Sequence, residues 1–219
     1  MLVLALDTST PATSVALVDD RDVLAERTEV AANRHGELLS PLIDAVLVAA
    51  GVRTTDVGMV AVGVGPGPFT GLRVGMATAV GFADALGVPV RGACSLDAVA
   101  WAAGDRPWEA GFVVVTDARR KEVYWARYAG GRRVDGPLVD RPAAVAAQLG
   151  PATTVVGFAA GMYPAEFAGH AVVDVAGYPA ASAVARLGAD DAWQVPVHPM
   201  YLRRPDARPP GAPKRVTPV

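Results

Sequence analysis

The chain has 219 residues, of which 52% are apolar and 19% charged, a balance that excludes a disordered chain and leaves enough apolar material for a sizeable core. Lys plus Arg is 20 and Asp plus Glu is 22, so the net charge of -2 argues against unaided nucleic-acid binding, which needs a clustered positive field. The one cysteine, Cys94, excludes an internal disulfide and a cysteine zinc site.

Leu2 to Leu6 is a short apolar run that reads as a buried strand ending in Asp7. Thr8-Ser9-Thr10-Pro11 is a turn, Thr13 to Val18 a second strand, and Val23 to Val30 a third after a tight acidic turn. The three form an antiparallel meander. Leu38, Leu39, Leu42, Ile43, Val46 and Leu47 recur at helical spacing. Ser40 and Pro41 fit N-cap and N1, or Pro41 lies in the first turn of a slightly longer helix, and Gly51 is a natural stop. Met59 to Val64 is a strand, and Gly65-Pro66-Gly67-Pro68-Phe69-Thr70-Gly71 opens into a helix that runs to about Leu86. Val88 to Arg91 is a strand, and Ser95 caps a helix through Ala103. This order of elements is that of a ribonuclease-H-like lobe.

The pattern then starts again. Phe112 to Thr116 ends in Asp117, as the first strand ends in Asp7. Glu122 to Tyr128 and Arg132 to Val139 are strands joined at Gly130-Gly131. A helix (Ala143 to Leu149), strands (Thr153 to Phe158 and Ala171 to Val175) and a helix (Ala181 to Leu187) follow. One helix of the repeat is missing, and the loop Ala159 to Pro164 stands in its place. The fold class expected is α/β, two ribonuclease-H-like lobes of which the second is reduced, at residues 1–105 and 106–203. The boundary falls at Gly104 to Pro107, and a proline-rich, flexible tail occupies 204–219. The N-terminus lacks a basic region and the long uncharged stretches carry Gly and Pro, so a cytoplasmic protein without a membrane span is expected.

Chemistry-bearing motifs are few. His35, His170 and His198 never fall at i, i+4 spacing, so a helical two-His metal motif is absent, and no metal site is expected. Lys121 and Lys214, the only lysines, follow no phosphate-binding loop. No Gly-x-Ser-x-Gly elbow exists and Cys94 reads as a small buried residue, so no catalytic residue is assigned. His35, beside Arg34 at a helix start, reads as a capping or interface residue. Asp7, Thr8 and Asp117 lie where facing lobes would enclose a nucleotide. The turns beside them lack the glycine that close phosphate approach needs, so strand capping is the competing reading.

The segment from Gly65 to Gly75 carries the strongest signal. One reading is anion binding at a helix N-terminus. The other follows from Gly71, Gly75, Ala79 and Ala83, which fall every four residues with Gly67 just before them. Interior glycine costs about 1 kcal/mol against alanine, so another backbone must need the space. That backbone is either the chain's own sheet or a helix of another subunit, and periodicity does not separate the two.

Leu4-Ala5-Leu6-Asp7-Thr8-Ser9-Thr10, Asn33-Arg34-His35, Gly65 to Gly75, Thr116 to Ala126 and Pro199-Met200-Tyr201-Leu202-Arg203 together resemble the TsaB (YeaZ) family over nearly the whole chain. The resemblance implies an actin-like (ASKHA) fold and a non-catalytic partner in threonylcarbamoyl modification of adenosine 37 of tRNAs reading codons that begin with A. It implies pairing with a TsaD-like catalytic subunit, assembly with a TsaE-like ATPase, contact with tRNA only through the complex, and homodimers through the same face. It also implies that the isolated chain carries no cofactor, with ATP or ADP a ligand of the complex. The pairing face carried over comprises His35, Leu38, Leu42, Gly67, Phe69, Gly71, Arg73, Gly75, Ala79 and Ala83. Pro68 stands where the family loop commonly has serine. An actin-like ATP-dependent phosphotransferase using Asp7 and Asp117 is the alternative, and a peptidase has neither metal cluster nor nucleophile dyad to support it.

Overall fold

The computed structural model describes residues 1–20, 22–104, 111–151, 153–173 and 177–203. The expected tail and most of the expected boundary lie outside the described residues. In chain order the elements are β1 (Leu2–Asp7), β2 (Ala12–Asp19), β3 (Asp22–Val30), α1 (His35–Ala50), β4 (Met59–Gly63), α2 (Phe69–Leu86), β5 (Val90–Ala93) and α3 (Ser95–Ala102). The second half supplies β6 (Phe112–Asp117), β7 (Val123–Ala129), β8 (Arg132–Asp140), α4 (Pro142–Ala146), β9 (Thr154–Val156), α5 (Ala159–Met162), β10 (Ala171–Val173) and α6 (Ala181–Ala189).

Two five-stranded sheets have orders β3-β2-β1-β4-β5 and β10-β9-β6-β7-β8. Numbered within each half, they are the same sheet. In both, the first strand pairs antiparallel with the second and parallel with the fourth. Strand alternation divides each sheet between two cores. Leu4 and Leu6 of β1 face α1 and α2, whereas Val3 and Ala5 face α6. Phe112 and Val114 of β6 face α3, whereas Val113 and Val115 face α4 and α5.

This packing corrects the expected division at 105/106. Helix α6, assigned to the second lobe by chain order, buries Ala181, Val184 and Leu187 on the first sheet. Helix α3, from the first half, buries Leu96 and Val99 on the second. Each half lends one helix to the other sheet. The segment after α6 also returns to the first lobe: Val195 bridges to Gly92, and the Met200 amide donates to the Val64 carbonyl at 2.9 Å.

Two local expectations change. Helix α1 begins at His35, so Pro41 sits inside it on the exposed face. Its end is as expected, with Gly51 left-handed at φ 65° and its amide donating to Val48. The expected loop after β9 contains the single helical turn α5, four residues where the first half has the 18-residue α2. No described helix is long and apolar enough to cross a membrane.

Candidate functional site

Asp7 closes β1 with its carboxylate buried under the sheet end. Oδ1 accepts from the Ser9 amide at 2.8 Å and the Ser9 hydroxyl at 2.7 Å, and Oδ2 accepts from the Ser95 hydroxyl at 2.7 Å. Burial pushes its pKa above the ordinary carboxylate value, and the bonds from Ser9 and Ser95 oppose that shift. Thr8 turns its hydroxyl to the Gly71 carbonyl at 2.8 Å. In the second lobe Asp117 accepts from the Arg119 amide at 2.8 Å, and the Arg119 guanidinium stands 3.5 Å away. The candidate cleft residues Asp7, Thr8 and Asp117 are thus all engaged within the chain.

The glycine row is occupied in the same way. A Cβ at Gly67 would lie 2.3 Å from the Ser9 carbonyl oxygen, one at Gly71 2.5 Å from the Thr8 carbonyl oxygen, and one at Gly75 2.3 Å from the Thr8 hydroxyl. Ala79 and Ala83 are buried in the core beneath. The backbone that needed the space is the chain's own β1–β2 turn. This corrects the expectation that Gly67, Gly71, Gly75, Ala79 and Ala83 meet another subunit. His35 and Leu38 are also buried and Leu42 is half-buried, so of the residues expected on that face only Phe69 and Arg73 are exposed.

The exposed faces of α1 and α2 lie elsewhere. On α1, Pro41, Ala45 and Val48 face solvent, with Val48 80% exposed; on α2, Ala77, Val80 and Gly81 do, with Val80 46% exposed. A Cβ at Gly81 would meet nothing within 4 Å. Both helices pack on one face of the first sheet and touch each other, so these small apolar positions belong to one two-helix layer. The overlooked signal was apolar and small residues recurring opposite the buried stripe, where a solvated face carries charge.

At the start of α2, Phe69 stacks on Tyr201 with centroids 5.0 Å apart, the Arg73 guanidinium lies 3.7 Å over the Phe69 ring, and Arg73 Nε donates to the Tyr201 hydroxyl at 3.1 Å. Arg203 continues the same segment to the second lobe, where it donates to the Glu122 carboxylate and to the Arg119 carbonyl. It grips a turn in which Arg119, Arg120 and Lys121 are all left-handed, at φ 62°, 55° and 60°. A cleft of about 310 Å³ opens beside this turn, lined by Thr10, Asn33, His35, Gly36, Thr70 and Arg119 among others.

A second polar cluster is buried between the lobes. Tyr128 donates to Asp97 at 2.7 Å, and Arg133 lies 3.4 Å from the same oxygen. Burial raises the pKa of Asp97 and, with the Asp97 charge adding to it, pushes the Cys94 thiol up to about 12. Cys94 is therefore an inert thiol at neutral pH.

Two sheets of one strand order, each sandwiched between helices and exchanging one helix across the junction, define a duplicated α/β protein of the actin-like class. Residues 25–185 match the family model described as TsaD, tRNA N6-adenosine threonylcarbamoyltransferase. The chain is 47% identical over 210 residues to the uncharacterized protein Rv3421c of Mycobacterium tuberculosis, covering 94% of each. It is 38% identical over 128 residues to the tRNA threonylcarbamoyladenosine biosynthesis protein TsaB of Escherichia coli, covering 58% of this chain and 55% of that one. YeaZ from Pseudomonas aeruginosa superposes with a TM-score of 0.74 at 30% identity, over 92% of this chain and 99% of that one. The chain belongs to the TsaB (YeaZ) family, within the wider family that the TsaD model describes.

Proposed function

We propose that this chain is a non-catalytic subunit for threonylcarbamoyl transfer to adenosine 37 of tRNAs reading codons that begin with A. It pairs with a TsaD-like catalytic subunit and joins a TsaE-like ATPase, and tRNA reaches it only through that complex. The name of the Escherichia coli relative supports the pathway. The observation that carries the pairing is the exposed layer of α1 and α2, where Val48, Val80, Ala45, Ala77 and Gly81 present an apolar surface low enough for another helix pair to approach. The sequence holds no helical His pair with which to bind a catalytic metal, which fits a partner role.

The same face supports homodimers when the catalytic subunit is absent. ATP or ADP is then a ligand of the assembly rather than of this chain alone. An ATP-dependent role for Asp7 and Asp117 gains no support from their geometry, because both carboxylates already accept bonds from their own turns.

The test is reconstitution. Purified chain is mixed with the TsaD-like and TsaE-like proteins, ATP and tRNA, and modification is scored with and without it. Modification that proceeds equally without this chain overturns the proposal. Val48→Asp with Val80→Asp should abolish copurification with the catalytic subunit while the monomer melts as the parent does. Intact pairing in that double variant rejects the face. Gly75→Leu would not discriminate, because its side chain collides with Thr8 inside the monomer.

A further inference from the structure

A second cavity, of about 290 Å³, opens on the far side of the lobe junction from the cleft. Asp117 marks the cleft end of β6. Phe112 marks the other end, where it pairs with Tyr128, and Tyr128 in turn pairs with Arg133. Pieces of both halves build the cavity walls: Asp97 from the first turn of α3, Arg132 and Arg133 from the β7–β8 hairpin, and Trp193 to Val195 from the segment after α6. Trp193 packs against the cores of both sheets. No residue of the pairing face lines this cavity.

The polar walls are short of acceptors. Asp97 is 2% exposed, and its Oδ1 accepts from the Tyr128 hydroxyl at 2.7 Å. Arg133 Nη1 stops 3.4 Å from the same oxygen and, although buried, makes no hydrogen bond. At that distance the charges attract, but the bond that would offset desolvation of the guanidinium is not made. Gln194 offers no acceptor either, because its Oε1 accepts from Arg91 and its Nε2 donates to Asp191 at 2.8 Å. Arg132 adds an exposed guanidinium at the rim. The walls therefore carry two cations against one carboxylate, and that carboxylate is already shared.

We propose that this cavity binds a small organic monocarboxylate, its two oxygens on the Arg133 guanidinium and its apolar body against Trp193 and Val195. With Nη1 turned to Asp97, the Nε–Nη2 edge is the fork left for a ligand, and a planar fork matches a carboxylate in bidentate fashion. One positive charge in excess suits a monoanion, whereas a phosphate ester would set a second negative charge against Asp97. The ligand touches both halves at the seam where α3 and α6 are exchanged, so it fastens the lobes together. The site is built from one chain and stands whether or not the role in tRNA modification holds.

The test is an NMR titration of the full chain with sodium benzoate, run beside its uncharged isostere benzamide, sodium acetate and inorganic phosphate. Saturable shifts of the Gly131 amide and the Trp193 indole N–H are expected with benzoate. Acetate, which has no ring for the apolar wall, should bind more weakly, and benzamide should leave both signals in place. Arg133→Lys keeps the charge and loses the fork, so it should weaken benzoate about tenfold. Asp97→Asn keeps an acceptor for Tyr128 and removes the competing charge, so it should tighten benzoate several-fold, a gain that a merely structural Arg133 does not predict. Arg132→Ala, at the exposed rim, should weaken benzoate without disturbing the buried cluster, and so tests the charge even where Asp97→Asn fails to fold. Equal shifts from benzamide, undiminished affinity in Arg133→Lys, or tighter binding of phosphate than of benzoate each overturn the proposal.

Discussion

The two lobes end their first strands in the same residue and then hold it differently. In the first, Asp7 is sunk beneath the sheet, and α2 lies so close that Gly67, Gly71 and Gly75 admit no Cβ. In the second, α5 is a single turn, no comparable helix among the described residues covers the β6–β7 turn, and Asp117 caps a turn of three left-handed residues that Arg203 grips from outside. One topology thus stabilises equivalent junctions by two means: close packing where a helix is present, and a cationic clamp where it is shortened. The buried junction is costly to disturb, and the exposed one is adjustable.

The largest expected effect is at the first junction. A Cβ at Gly63 would lie 1.9 Å from Asp7 Oδ2 and 2.9 Å from Ser95 Oγ. Gly63→Ala therefore drives the carboxylate off Ser95 and leaves it buried without that donor. The cost should be about 3 kcal/mol or more, a fall of roughly 6–12 °C in Tm for a chain of this size. An unchanged thermal melt would show that the junction yields and that the contrast between the lobes is false.

Next comes the proton linkage of Asp7. Its folded pKa is raised above 3.8 by burial. Between 3.8 and that raised value the folded chain holds more protons than the unfolded one, so this group's contribution makes stability fall as pH rises through the window. Asp7→Asn removes that component. Urea melts across the acid range, taken as parent minus variant, should show a difference that declines with rising pH and levels off above the raised value. A flat difference would mean that burial does not act on the Asp7 carboxylate as its place beneath the sheet implies.

Much of this was legible in the sequence, and what was not has physical reasons. Apolar runs ending in Asp7 and Asp117 gave the duplicated strand order, and the turn residues gave most boundaries. The four-residue spacing from Gly67 to Ala83 established that a backbone passes close to α2. Spacing gives an angle around a helix, however, and not what lies at that angle. The chain's own β1–β2 turn and a foreign helix require the same small residues. The exchange of α3 and α6 was equally hidden, because a helix amphipathic enough to cover one sheet covers either. Arg203 and Glu122 are remote in sequence, and nothing local marks their pairing.

Smaller effects are expected at the second junction. Arg203→Ala removes the bonds to Glu122 and to the Arg119 carbonyl, both in partly exposed surroundings, so the cost should be about 1 kcal/mol. Faster amide exchange confined to the β6–β7 turn is the signature of the clamp. A loss as large as that of Gly63→Ala would place the two junctions on the same footing.

The smallest effect has the opposite sign. Lys121 is exposed and left-handed at φ 60°, and among the described residues no hydrogen bond or ion pair of its side chain holds it there. A left-handed backbone costs an ordinary L-residue roughly 1–2 kcal/mol, and glycine escapes that cost because it has no Cβ. Glycine also gives the unfolded chain more freedom, which takes back about 0.4–1 kcal/mol of the gain. Lys121→Gly should therefore stabilise the chain by about 0.5 kcal/mol, read as a small upward shift of the urea midpoint with an unchanged m-value. In the matching β1–β2 turn no such gain is available, because no residue from Thr8 to Pro11 has a positive φ. Destabilisation by Lys121→Gly would mean that the side chain, rather than the clamp on its neighbours, holds the turn in its left-handed form.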